Sequence, residues 1–252
     1  MATQTRTRVR DRVSPGMAAW GIHALTASGV LCGLMGILFI LNGSPKAALV
    51  WLILAFVIDG IDGPVARKVD CRLHVPNVDG NILDLVIDYV TCVVAPAIFI
   101  HQFNMVPKGF TLFTAGLVMV TSLYAFSRTD LMTHDHYFRG WPAMWNLAIN
   151  VMFVVHSKPY VNLVVILGLC ALTCLNVKVP HPVRVHYMRQ ITLPVLVIWL
   201  AVMLYLTLAS PTAPLWARGV ELAGVAYFVW LSVRRTLLGP EFPESAPALP
   251  SE

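Results

Sequence analysis

Charge is scarce in this sequence. Only 12% of its 252 residues are Asp, Glu, Lys or Arg, about half of the ~25% carried by an average soluble domain. The chain also lacks a disulfide framework: its five cysteines, at 32, 71, 92, 170 and 174, are odd in number and show no zinc-ligand spacing. They read as small apolar residues. No internal repeat is visible, so the inverted-repeat signature of many transporters is missing. The basic stretch "RTRVRDR" is followed by no short apolar core with a small-residue cleavage site, which excludes a signal peptide. No nucleic-acid partner is expected.

What the chain has is apolar length. Hydrophobic residues make up 57% of it, and runs of about twenty, enough to cross a bilayer, recur along it. The runs are continuous rather than alternating, which excludes an outer-membrane barrel. The expected fold is all-α, a polytopic integral membrane protein. We place eight spans at 19–41, 46–66, 80–102, 110–127, 142–157, 160–176, 193–210 and 214–233. A basic N-terminal segment (1–18) precedes the transmembrane domain (19–235), and a tail rich in proline and acid (236–252) reads as disordered.

Charge placement orients the spans. Of the eighteen Lys and Arg residues, only Lys46, Lys108, Lys158 and Arg218 fall on one side, leaving fourteen on the other. The basic side is cytoplasmic, and with an even span number both termini lie there, as expected of a bacterial inner-membrane protein. The basic N-terminal stretch is placed to lie on anionic lipid. Within the first span, Gly29 and Gly33 have the four-residue spacing that lets helix backbones approach closely in lipid.

Against this background four acids stand out. Asp59 and Asp62 are three residues apart, and Asp84 and Asp88 four apart, so each pair shares a helix face. Asp59 lies eight residues before Arg67, and Asp88 eight residues after Gly80. At ~1.5 Å per residue, both sit about 12 Å in from the cytoplasmic ends of antiparallel helices. All four can converge on one pocket open to the cytoplasm. Clustered carboxylates in a low dielectric need protons or cations to neutralise them. Oxygen ligands suit Mg²⁺ or Mn²⁺, and two such ions can clamp a phosphoryl transfer.

The residues between the acids extend that reading. Gly60, Gly63 and Ala66 leave the helix surface bare enough for a ligand to approach the backbone. Arg67 places a permanent cation at the mouth. Pro64 cannot donate to the carbonyl of Gly60, which frees that oxygen as a candidate ligand to metal or nucleotide.

"DGIDGPVAR", a spacer, and then "GNILDLVID" resemble the signature of the CDP-alcohol phosphotransferases, membrane enzymes that join an alcohol to a phosphoryl group from a CDP-linked donor. The match falls on Asp59, Asp62, Gly63, Ala66, Arg67, Gly80, Asp84 and Asp88. The spacer from Lys68 to Asp79 is twelve residues rather than the usual eight. That length, "HALTASG" at 23–29 and the loop "DHYFRGWPAMWN" at 135–146 are similar to the bacterial phosphatidylcholine synthases within the family.

The resemblance implies a reaction of CDP-diacylglycerol with choline, giving phosphatidylcholine and CMP, with two Mn²⁺ or Mg²⁺ ions. It implies metal ligation by Asp59, Asp62 and Asp84, with Asp88 as general base and further ligand. It also implies a CDP site at Asp62, Gly63, Ala66, Arg67 and Gly80, and a homodimer. No Ser, His or Cys is placed as a covalent nucleophile, so direct displacement is expected.

Choline carries a fixed positive charge, for which aromatic faces with a nearby anion are the natural receptor. The candidates are Tyr89, Asp135, Tyr137, Phe138, Trp141 and Trp145. Arg184 and Arg189 are candidates for lipid phosphate. His134, His136, His181 and His186 lie on polar loops away from the acids and do not read as a metal site. Two alternatives stand beside this one. One is a family member using glycerol 3-phosphate, serine or an inositol phosphate; the other is a divalent-cation or proton-coupled transporter.

Overall fold

The protein is described by a computed structural model over residues 15–69, 75 and 77–240. The basic residues 1–14, most of the spacer, the tail 241–252 and the side chains of Arg67 and Lys68 lie outside the described residues. Helices dominate, as an apolar chain in a bilayer requires, because every backbone N–H and C=O must be satisfied within the segment.

α1 (Pro15–Leu41) and α2 (Pro45–Val69) form a long hairpin. Gly43 turns it with φ +69°. The N–H of Gly43 bonds Ile40 and that of Ser44 bonds Phe39, the paired bonds that close a helix with glycine in the left-handed region.

The third span is built of three pieces: α3 (Gly80–Asp88), a π-helical turn (Tyr89–Val94) and α4 (Ala95–Gln102). Asp79 caps α3, its side chain accepting from the N–H groups of Asn81 at 2.9 Å and Ile82 at 3.4 Å. The π-turn has a local cause. Pro96 cannot donate to the carbonyl of Cys92, and its ring would press on that carbonyl in a regular α-helix. Widening the preceding turn removes the conflict.

A 3₁₀ turn (Lys108–Phe110) leads into α5 (Thr111–Phe126). Then come α6 (Trp145–Val154), α7 (Pro159–Thr173), α8 (Arg189–Ala209) and α9 (Leu215–Leu238).

Five helical segments are long and apolar enough to cross a membrane: Gly16–Leu41, Pro45–Ala66, Gly80–Gln102, Lys108–Phe126 and Arg189–Ala209. The count of eight is therefore not reached on this criterion among the described residues. The hairpin expected at 142–157 and 160–176 is shorter than its apolar runs, because chain at either end of it is taken into loops and strand. At ~1.5 Å per residue, α6 and α7 reach about 15 and 22 Å, short of a ~30 Å hydrocarbon core. α9 has the length, but Arg218 and Glu221 lie within it.

The fold also departs from purely helical. Two three-residue strands, β1 (Tyr137–Arg139) and β2 (Lys178–Pro180), pair antiparallel, with Tyr137 opposite Pro180 and Phe138 opposite Val179. The core runs between α2, the third span and α6, around the fully buried Leu52, Phe99, Trp145 and Ile149. A second cluster joins α2 to α8 through Phe56, Trp199 and Met203.

Candidate active site

Gly29 and Gly33 set the position of the acidic helix. A β-carbon on Gly29 would stand 3.0 Å from Cγ2 of Ile87, and one on Gly33 would stand 3.0 Å from Thr91 and 3.1 Å from Val90. The small residues of α1 thus let α3 and the π-turn lie against its backbone, on both sides of Asp88. The close approach expected from the sequence is made within one chain.

Asp59 on α2 meets Asp84 and Asp88 on α3. Each offers a carboxylate oxygen, and all three lie within 4.8 Å of one another. Asp59 and Asp84 are within hydrogen-bonding reach of each other, so a proton or a cation must sit between them to relieve the repulsion. Three oxygens at this spacing fit a hard divalent cation, which is the chemistry this donor set favours over nitrogen or sulfur chelation.

Asp62 departs from the expected set of four. It is 4% exposed and sits against the Thr26 hydroxyl and the N–H of Gly63. Its carboxylate lies outside the three-oxygen group. Asp62 nonetheless lines a cavity of about 10 Å³ together with Thr26, Asp59, Asp84, Asp88 and Thr91. That is the minimum room for a single water.

On their other side the three acids open into a cavity of about 320 Å³, the size of a small ligand pocket. Gly60 and Pro64 line it; of the other small residues expected on the bare face of α2, Gly63 and Ala66 do not, and Ala66 packs against the cluster of Ala19, Ile22 and Val75. Its far wall is formed by Phe126, Arg128, Met132, Phe138, His181 and Arg184. Arg184 is near enough to Asp59, Asp62 and Asp84 for its charge to act on all three. Arg128 is matched by Asp130, with Nε and Nη2 each donating to a carboxylate oxygen at 2.9 Å. The Asp130 carboxyl is correspondingly held below its usual range by those hydrogen bonds.

The six aromatic and acidic candidates divide. Phe138 lines the large cavity and stacks on His181, with ring centroids 5.2 Å apart. The other five do not line it. Tyr89 turns to α5, its hydroxyl donating to the Met119 carbonyl at 3.2 Å. Trp145 is wholly buried, its indole N–H donating to Ser122 at 2.8 Å, and Trp141 packs edge-on against it at 5.9 Å. Tyr137 is buried, and Asp135 is paired with Arg235. Arg189 is exposed at the start of α8 and away from the cavity. The rings of His136 and His186 lie 4.9 Å apart. The side chain of Arg67 lies outside the described residues.

Several residues in or beside the site were not candidates from the sequence. Thr26 and His23 both belong to "HALTASG", a stretch that carried resemblance but no chemical role. His23 is buried, its Nε2 has no hydrogen-bond partner, and its ring lies 3.3 Å from where a Gly80 β-carbon would stand. Arg128 carried only the signal of a charge on the basic side, and His181, expected on a loop away from the acids, lines their cavity instead; only pairing of distant loops brings the two there.

No protein-family model matches the chain. Several similar proteins are named phosphatidylcholine synthase. That of Pseudomonas aeruginosa is 39% identical over 218 residues, covering 86% of this chain and 92% of the relative. That of Brucella melitensis is 31% identical over 237 residues, covering 91% and 86%. That of Borreliella burgdorferi is 32% identical over 221 residues, covering 86% and 94%.

Proposed function

This chain belongs to the phosphatidylcholine synthase family, and on that premise we propose that it transfers the phosphatidyl group of CDP-diacylglycerol to choline and releases CMP. The observation that carries the proposal is the convergence of Asp59, Asp84 and Asp88 at the floor of a cavity whose wall presents Arg184 and Phe138.

In this reading the donor's diphosphate lies between the acids and Arg184. Gly60, Gly63 and Ala66 leave room for the CDP group along α2, next to Asp62, Arg67 and Gly80. A divalent ion such as Mn²⁺ or Mg²⁺, or a pair of them, held by Asp59, Asp84 and Asp88 with Asp62 alongside, would supply positive charge for the diphosphate and the departing CMP. The choline hydroxyl is a poor nucleophile at neutral pH, and Asp88 takes its proton as the oxygen attacks the phosphatidyl phosphorus. A new P–O bond forms there, and the bond to CMP breaks with the electron pair leaving on CMP.

Phe138, which shares the cavity with the acids, is the first candidate to meet the choline ammonium. Eight crossings, cytoplasmic termini, an inner-membrane location, contact of the basic segment 1–18 with anionic lipid, and a homodimer belong to the same reading. So does the division at 1–18, 19–235 and 236–252.

A second reading has one observation in its favour: two arginines, Arg128 and Arg184, line the cavity, as a phosphorylated acceptor would want. The pairing of Arg128 with Asp130 weakens it. One experiment separates the two. The purified protein is given CDP-diacylglycerol and labelled choline, serine, glycerol 3-phosphate or inositol phosphate, with Mn²⁺ or with EDTA. Labelled lipid from choline, lost in EDTA and restored by Mn²⁺, is expected. Lipid product from another alcohol alone would sink the choline assignment, and turnover in EDTA would sink the metal's role.

A further inference from the structure

Arg235 ends a chain of contacts that leads to the acids. It lies in the last turn of α9 and is 6% exposed. Its Nε donates to Asp135 Oδ2 at 2.6 Å and its Nη2 to Oδ1 at 3.2 Å, a fork that fixes both partners in angle as well as distance. The same guanidinium lies 5.6 Å from the ring centroid of Tyr137, the first residue of β1. Thr236, the next residue of α9, accepts the Lys178 N–H of β2 on its hydroxyl at 2.8 Å. Two consecutive residues of one helix therefore hold both strands of the ribbon.

The ribbon in turn carries the cavity wall. Phe138 of β1 stacks on His181, just after β2, with the rings 18° from parallel. The His181 N–H donates to the His136 carbonyl at 3.0 Å. His181 Nδ1 accepts from the N–H groups of Val183 and Arg184, each at 3.3 Å. This closes the turn that aims Arg184 at Asp59, Asp62 and Asp84. Arg184 has no helix of its own to hold it; its direction comes from the turn, and the turn's from the ribbon.

We propose that Arg235 is a positioning residue for the transfer reaction, clamping the two-stranded ribbon to α9 so that Arg184 is held over the acidic floor. This rests on the assignment of Arg184 to the donor diphosphate made above. A pair that merely stabilised the fold would be indifferent to Arg184.

The test uses the full chain in lipid nanodiscs. Hydrogen exchange is followed at 136–139 and 178–185, and KM for CDP-diacylglycerol is measured in Arg235→Gln, Arg184→Gln and the double variant. Arg235→Gln is expected to speed exchange in both segments and to raise donor KM about tenfold, the loss of a charge-assisted contact. In the Arg184→Gln background it should add nothing further. Arg235→Lys, which keeps the charge but loses the fork, should fall between.

Unchanged exchange in Arg235→Gln, or a KM effect that adds in full to that of Arg184→Gln, would overturn the clamp. If Arg184→Gln itself leaves donor KM unchanged, the diphosphate assignment fails instead, and exchange alone decides the clamp. Should Arg235→Gln not fold, Asp135→Asn breaks the same fork and enters the same comparison.

Discussion

Gly33 of α1 faces Thr91 of the π-helical turn with no room between them: a β-carbon there would come within 3.0 Å of the threonine methyl. Thr91 lies less than one turn beyond Asp88, so the smallest side chain in α1 sets where that carboxylate stands. Gly33→Ala should therefore act on chemistry more than on folding. Overpacking of this kind costs about 1–3 kcal/mol, and a ~1 Å displacement at a reacting centre can cost about a hundredfold in rate. The expected result is kcat down at least tenfold, with the melting temperature lowered modestly. Gly16→Ala, where nothing lies within 4 Å, should match wild type.

The division among the acids is testable by metal binding apart from turnover. Asn replacements of Asp59, Asp84 or Asp88 should weaken Mn²⁺ binding, read by the paramagnetic resonance of the free ion, far more than Asp62→Asn does. Asp88→Asn should also lower kcat by about 10²–10⁴, the usual contribution of a general base. Equal Mn²⁺ losses at all four positions would mean that Asp62 turns in to join the other three.

Phe138 and Trp145 separate a cavity wall from a core. Phe138→Ala should raise the choline KM by about 2- to 30-fold, the span of a lost cation–π contact, and leave the donor KM nearly unchanged. Trp145→Ala removes a wholly buried ring and should cost about 3–5 kcal/mol of stability, without changing the ratio of the two KM values. A choline-specific effect at Trp145 would move the acceptor site.

Acid should loosen the clamp. Burial pushes the Asp135 carboxyl up, but hydrogen bonds from Arg235 and Thr133 and the Arg235 charge outweigh it, and the group ends below its usual value. A carboxyl depressed by folding contributes stability above its unfolded pKa of ~3.9, and that contribution is lost as pH falls through the folded value. Thermal unfolding from pH 7 down to 3 should show wild type losing more stability below about pH 4 than Asp135→Asn does. Parallel curves would sink the linkage.

Residue spacing alone marked this protein as a membrane enzyme candidate. Apolar runs of spanning length and two acid pairs, each spaced to share a helix face, are local or additive properties. A bilayer reads them directly, because it requires helices and fixes their length. The four-residue interval of Gly29 and Gly33 likewise survived intact into the packing.

What periodicity could not reach was anything made by residues distant in the chain. The turning of Asp62 toward Thr26 and the selection of Phe138 from six candidates depend on neighbours supplied by other helices. So does the delivery of Arg184 by a ribbon whose strands have three residues each. Strands that short leave no alternating pattern, and an ion pair such as Arg235 with Asp135 leaves no spacing. Apolar length and acid spacing were settled by the sequence itself; which side chains face the acids was decided only when the ribbon closed onto α9, where Arg235 meets Asp135 and Thr236 meets Lys178.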